Sequence, residues 1–180
     1  QAEAGVSGEV RGPAVDPEAP YARLAVVGLI CRSSHEEEGS DAGADCGVAE
    51  GGRWLLLRRR EGPERWDPPG GRVERSEDLE QAVKREVREE TGLEVQVAGP
   101  CYAYLTFYKG ERLLAVSMAC RLDAGGPDPD DVRVEPEFDS WAWRTTAEWA
   151  DLAAEGRSSW RPTDVRRIAR LAARAWEADE

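Results

Sequence analysis

Three glutamates, Glu86, Glu89 and Glu90, stand at i, i+3 and i+4 in the run Arg85-Glu86-Val87-Arg88-Glu89-Glu90-Thr91-Gly92-Leu93. On a helix that spacing puts their carboxylates on neighbouring positions of one face. Like charges so placed repel, and they fall near the helix C-terminus, where the macrodipole already disfavours anions. A bound cation would offset both penalties. Ligands that are all oxygen suit a hard divalent ion, magnesium or else manganese. The alternative is a solvated helix whose acids pair with Lys84, Arg85 and Arg88.

The elements around these acids decide between the two. Leu79, Ala82, Val83 and Val87 recur with helical period and predict a buried stripe. Glu86 and Glu90 fall on the same side as Leu79 and Val83, so they continue the inward face, away from the solvated one. Ser76 is the expected N-cap, Glu77 and Asp78 lie in the first turn, and Gly92 suits the C′ position. Upstream, Trp66-Asp67-Pro68-Pro69-Gly70-Gly71 is too rich in Pro and Gly for helix or strand. Its paired glycines let backbone come close to a ligand or metal.

From Gly71 the chain reads five residues, Glu77, seven residues, Arg85-Glu86, an aliphatic, one residue, Glu89-Glu90, one residue, Gly92 and Leu93. This resembles the Nudix box of the Nudix hydrolase family at every fixed position, and so many positions at fixed spacing are highly specific. The resemblance implies that Glu86, Glu89 and Glu90 bind catalytic divalent metal ions and that the Gly70 carbonyl adds a ligand. It implies that Glu77 and Arg85 pair and hold loop and helix in place. It further implies an α+β fold, the Nudix α/β/α sandwich with a central mixed sheet. The implied reaction is hydrolysis of a diphosphate bond in a nucleoside diphosphate linked to another group. Chemistry agrees, because cleaving a polyanion requires neutralised charge and an activated water.

The segment Pro136-Glu137-Phe138-Asp139-Ser140-Trp141-Ala142-Trp143 is similar to one in RNA 5′-pyrophosphohydrolases and plant-type diadenosine tetraphosphate hydrolases. It implies that Glu137 lies in a loop over the metals as an extra ligand or general base. Glu89 and Glu135 compete for the base role. Tyr108 stands where a base-stacking tyrosine occurs in dinucleoside polyphosphate hydrolases, with Tyr104 and Phe107 as neighbours. Each could instead simply line a strand. Arg58, Arg59 and Arg60 end an expected strand just before the glycine-rich loop. There one of them, with Arg58 the candidate, could meet a substrate phosphate; solvated charges at a strand end are the alternative.

The general Pro-Gly-Gly form before the box, with Pro100 too early to mark an ADP-ribose branch, favours a free nucleotide. Dinucleoside polyphosphates or nucleoside triphosphates are the expected substrates. ADP-ribose or a nucleotide sugar is the alternative, and a non-catalytic ligand sensor is another; those sensors usually carry a degraded box, and this one is complete. The net charge of −12 repels long nucleic acids and anionic membranes. No apolar run approaches the ~20 residues that span a bilayer, and the start lacks a signal-peptide layout, so a cytoplasmic monomer or homodimer is expected. Cys31, Cys46, Cys101 and Cys120 form no CxxC pair and there is one histidine, His35, so a zinc site is not expected.

Residues 1–20 read as a mobile tail and 21–180 as one domain, interrupted by an acidic, glycine-rich insert at 35–52 that is expected to be disordered. Strands are expected at Arg23–Arg32, Arg53–Arg60, Leu93–Ala98, Cys101–Tyr108, Arg112–Leu122 and near Asp139–Arg144. A short helix at Thr146–Ala154, capped by Thr145 or Thr146, precedes a last one from about Thr163. Its apolar stripe is Val165, Ile168, Leu171, Ala172 and Ala175.

Overall fold

The computed structural model describes residues 23–32, 52–108 and 110–177. The expected tail, nearly all of the insert, His35 and Cys46 lie outside the described residues. In chain order the elements are β1 (Arg23–Arg32), β2 (Arg53–Arg59), β3 (Trp66–Asp67), β4 (Gly70–Arg72), α1 (Leu79–Thr91), β5 (Val95–Tyr108), β6 (Glu111–Leu122), β7 (Phe138–Thr145), α2 (Thr146–Ala154) and α3 (Pro162–Glu177).

Among the described residues the strands form one seven-stranded sheet with the path β3-β2-β1-β6-β5, β4 pairing with β1 and β7 with β2. It is mixed: β1 and β6 run parallel and the other pairs antiparallel. Both faces are covered, which is why β1 and β2 read as almost unbroken apolar runs. Alternation along each strand sorts their side chains. Val26, Ile30, Leu55 and Leu57 pack with Val83 and Val87 of α1. Leu29, Trp54 and Leu56 pack with Trp149 of α2 and Val165 and Ile168 of α3. Helix α1 therefore covers one face and α2 with α3 the other, the expected α/β/α sandwich. Gly28 lets α1 seat on β1: a Cβ there would stand 2.9 Å from one Val87 methyl and 3.2 Å from a Val83 methyl.

Several local expectations need correction. The cap of α1 is Asp78, not Ser76; Asp78 accepts from the Gln81 N–H while the Gln81 side chain accepts from the Asp78 N–H. This reciprocal box satisfies two donors at once, which Ser76 cannot do from outside the turn. The two strands expected on either side of Gly99-Pro100 are one strand, β5, whose register slips at Val97/Gly99 and Pro100/Tyr102. Pro100 is tolerated because β5 is an edge strand and the bulge removes the need for its N–H. The Pro/Gly-rich segment also contributes short strands: Trp66–Asp67 pairs with β2 and Gly70–Arg72 with β1. Thr145 caps α2 through a box with Glu148, and α3 opens with Pro162, which has no N–H to leave orphaned. Among the described residues no helix is long and apolar enough to cross a membrane.

Candidate active site

Helix α1 and strand β4 meet edge to edge, and the acids lie along that seam. Glu90 is 3% exposed and accepts the Gly70 N–H through Oε2 at 2.8 Å. Gly70 thus meets the acids through its amide. At Gly71 a Cβ would collide with the Glu86 carboxylate, and at Gly70 with the Val26 carbonyl. Gly70 is required by the backbone it crosses, while at Gly71 a side chain would push the Glu86 carboxylate aside.

Arg85 organises the outer half of the seam. It grips Glu77 through two bonds, Nε–Oε1 at 2.6 Å and Nη2–Oε2 at 3.0 Å, and Nη2 also donates to the Arg72 carbonyl at 2.9 Å. Its Nη1 reaches Glu86 at 2.8 Å and Glu89 at 3.0 Å. The Glu77 bond, with help from the acids beside it, raises the Arg85 pKa, and the same bond holds Glu77 below the usual carboxylate range. Glu89 is the exposed member of the three acids, with half its side chain in solvent (51%). Among the described residues the acids do not stand as a closed cation cage: Arg85 draws Glu86 and Glu89 to itself while Glu90 turns to Gly70.

Burial sets the electrostatics. Desolvation pushes Glu90 up to about 8, the Gly70 N–H opposing and the nearby Glu86 and Glu137 charges adding to it. Glu86 is raised for the same first reason, partly offset by Arg85.

The third side of the site is the loop before β7, and the arginines at the end of β2 and just beyond it hold it. Arg60 donates from its backbone N–H to the Glu137 carbonyl at 2.8 Å, from Nε to the Pro136 carbonyl at 2.8 Å and from Nη2 to the Phe138 carbonyl at 3.1 Å. Arg58 binds Asp139 (2.7 Å) and sits 5.7 Å from the Trp66 ring centre. It follows Trp54 and Leu56 to the face carrying α2 and α3. Arg59 follows Leu55 and Leu57 to the face carrying α1 and pairs with Glu137 at 2.9 Å. The guanidinium facing the acids is therefore that of Arg59 and not that of Arg58. Strand alternation could have signalled this, once Leu55 and Leu57 were known to face α1. Arg59 lies 5.6 Å from the centre of the Tyr108 ring and 5.3 Å from that of Phe138, so Tyr108 sits on the rim of the same site. Of its neighbours, Tyr104 packs edge-on against Trp160 in the opposite core (4.7 Å between centres), and Phe107 is 73% exposed. Glu135 instead closes a turn, its carbonyl accepting the Phe138 N–H. Cys31 and Cys120 are buried and Cys101 is half-buried; burial pushes the Cys101 thiol up to about 11, so it is inert at neutral pH.

A family model described as NUDIX domain matches residues 43–163, a span that contains the glycine loop, α1 and the Glu137 loop. The chain belongs to the NUDIX family. Among curated relatives, an RNA pyrophosphohydrolase of Teredinibacter turnerae is 32% identical over 120 residues, 53% of this chain and 66% of that protein. A MutT-like protein of Streptomyces ambofaciens is 34% identical over 108 residues, 60% of this chain and 65% of that one. The chain thus spans just under two thirds of the length of these relatives. Among solved structures, a Caenorhabditis elegans Ap4A hydrolase in a binary complex superposes with a TM-score of 0.58 at 22% identity, over 87% of this chain and 96% of the other. That likeness establishes the fold.

The residues present suit a hard divalent cation. The donors are oxygens only, two of the acids are desolvated, and the glycines leave open the space before Glu86. A pH effect follows. Because the folded Glu90 value lies above the ordinary 4.5, the fold prefers the protonated acid; this contribution is full below pH 4.5 and is lost as pH rises through about 8. Its size is on the order of a few kcal/mol. In chelator, the melting temperature is expected to fall from pH 5 to pH 8 more steeply for the wild type than for Glu90→Gln. Magnesium is expected to stabilise more at pH 8 than at pH 6, since carboxylate ligands bind deprotonated. Parallel melting curves for the two proteins would contradict the assignment of this titration to Glu90.

Proposed function

We propose that this NUDIX domain hydrolyses a diphosphate bond in a nucleoside diphosphate linked to a further group, with a free nucleotide as substrate. The observation that carries the reading is the burial of Glu90 beside Glu86 at the glycine seam, an arrangement costly for a protein that binds no cation. Glu86, Glu89 and Glu90 would hold magnesium or manganese, which would neutralise phosphate charge and make a bound water acidic enough to attack. Glu77 and Arg85 fix the seam. Arg85 must release Glu86 and Glu89 in part for them to turn to an ion, and its bonds to Glu77 and the Arg72 carbonyl keep it in place as they do so. Glu137, held over the seam, would complete the ligand set or take the proton of the attacking water, with Glu89 the other candidate base.

The leading substrates are dinucleoside polyphosphates and nucleoside triphosphates. The net charge of −12 supports a small substrate. Triphosphorylated RNA ends are the second reading, favoured by the Teredinibacter turnerae relative's name. The test is a panel of a dinucleoside polyphosphate, nucleoside triphosphates, ADP-ribose, a nucleotide sugar and a triphosphorylated RNA, each with magnesium and manganese, products identified by mass. No product from any of them would leave a non-catalytic binding module. On the best substrate, Glu137→Gln is expected to lower kcat by roughly 10²-fold with little change in KM, as for loss of a general base, while Glu135→Gln changes neither. Equal small effects at both would send the base role to Glu89.

A further inference from the structure

We propose that Arg59 is an exchange residue: it competes with a bound cation for the Glu137 carboxylate, and when Glu137 turns to the cation Arg59 takes a phosphate oxygen of the nucleotide. The inference rests on the hydrolytic reading above. The pair is short, 2.9 Å, yet both side chains are partly exposed, 35% for Arg59 and 48% for Glu137. Pairs this exposed are weak and easily traded for another partner.

The surroundings allow the trade without loss of structure. Arg60 holds the backbone of the Glu137 loop by three hydrogen bonds, and Arg58 secures the far flank through Asp139. The Glu137 side chain can therefore leave Arg59 while the loop stays where it is. Arg59 also has a second anchorage, its guanidinium lying over the Phe138 and Tyr108 rings. Contacts of that kind use the face of the guanidinium and leave its N–H edge for a carboxylate or a phosphate. Arg59 lies on the sheet face that carries α1, and its charge is felt at Glu90. Arg85, also at the seam, stays tied through Nε and Nη2 to Glu77 and the Arg72 carbonyl. A polyphosphate entering above four carboxylates meets repulsion, and Arg59 is placed to relieve it with a charge-assisted bond.

The experiment is calorimetric and free of nucleotide. Manganese is titrated into wild type, Arg59→Gln, Glu137→Gln and the double variant. Removing Arg59 releases Glu137, so Arg59→Gln is expected to bind manganese about two- to five-fold more tightly, the range of an exposed ion pair. In the Glu137→Gln background the same change is expected to give a clearly smaller gain, the part owed to the Arg59 charge alone. With manganese saturating, inorganic pyrophosphate is expected to bind Arg59→Gln about tenfold more weakly than wild type, with Arg59→Lys in between. Equal manganese affinity in wild type and Arg59→Gln would overturn the exchange. So would an equal gain in both backgrounds, which would mean a general charge effect. Failure of the wild type to bind manganese at all would overturn the hydrolytic reading, and the exchange with it.

Discussion

Glu90→Gln is expected to abolish most turnover and leave the protein folded. The side chain is 3% exposed and its Oε2 accepts the Gly70 N–H; the glutamine carbonyl can accept the same bond. Shape and packing are kept, and what is removed is the negative charge. On the proposed reading that charge is what holds the cation. Changes to groups that merely support metal ligands cost roughly 10–100-fold, so loss of a buried acid at the seam should cost about a hundred-fold or more in kcat. The variant should also melt higher than wild type at pH 8 in chelator, because a desolvated carboxylate has been replaced by a neutral amide. Steady-state rates and thermal melts on one preparation check both halves. A folded Glu90→Gln protein with near-wild-type turnover would remove Glu90 from the catalytic site.

Trp149→Ala should do the reverse, damaging the fold and sparing the chemistry. Trp149 is fully buried, lies 6.4 Å from the Trp54 ring and 6.1 Å from the Trp160 ring, and donates its indole N–H to Ser158 Oγ. Truncation leaves a large cavity where α2, α3 and the sheet meet, at a cost of about 3–5 kcal/mol. For a chain of this size that lowers the melting temperature by roughly 6–20 °C. The acids lie on the other face of the sheet, so the folded fraction should keep its KM and its manganese affinity. One route could break that independence: Ser158 Oγ also donates to Asp67 in β3, a few residues before Gly70. A Trp149→Ala protein that melts normally would contradict the packing argument. One that melts early and also loses manganese affinity would mean that the α2–α3 connection helps hold the glycine loop.

The spacing of Glu86, Glu89 and Glu90 was legible in the sequence because a helix converts spacing into geometry within a few residues, with no help from the rest of the chain. The same holds for the apolar stripe of α1 and its Gly92 terminus, whereas the cap of α2 lay open between Thr145 and Thr146 until the box with Glu148 settled it on Thr145. Strand-like runs on either side of one helix, with another helix at the end, implied a mixed sheet covered on both faces; the sandwich came with the family resemblance. Local signals gave out where two residues could play one part: Ser76 and Asp78 are both good caps, and Asp78 prevails because Gln81 returns its bond. They also gave out wherever a partner lies far along the chain. Arg58, Arg59 and Arg60 look alike as a run, and only the sheet, by turning alternate residues to opposite faces, sends Arg58 to Asp139 and Arg59 to Glu137, the latter 78 residues away. The strand pairing of Gly70 and Gly71 with β1 is of the same kind, since glycine has no side chain to announce what it packs against. The sequence by itself thus determined the acids, their helix and the family chemistry. The tertiary structure decided which arginine faces them and how the Glu137 loop is held, because strand pairing across long separations depends on which surfaces meet and not on local spacing.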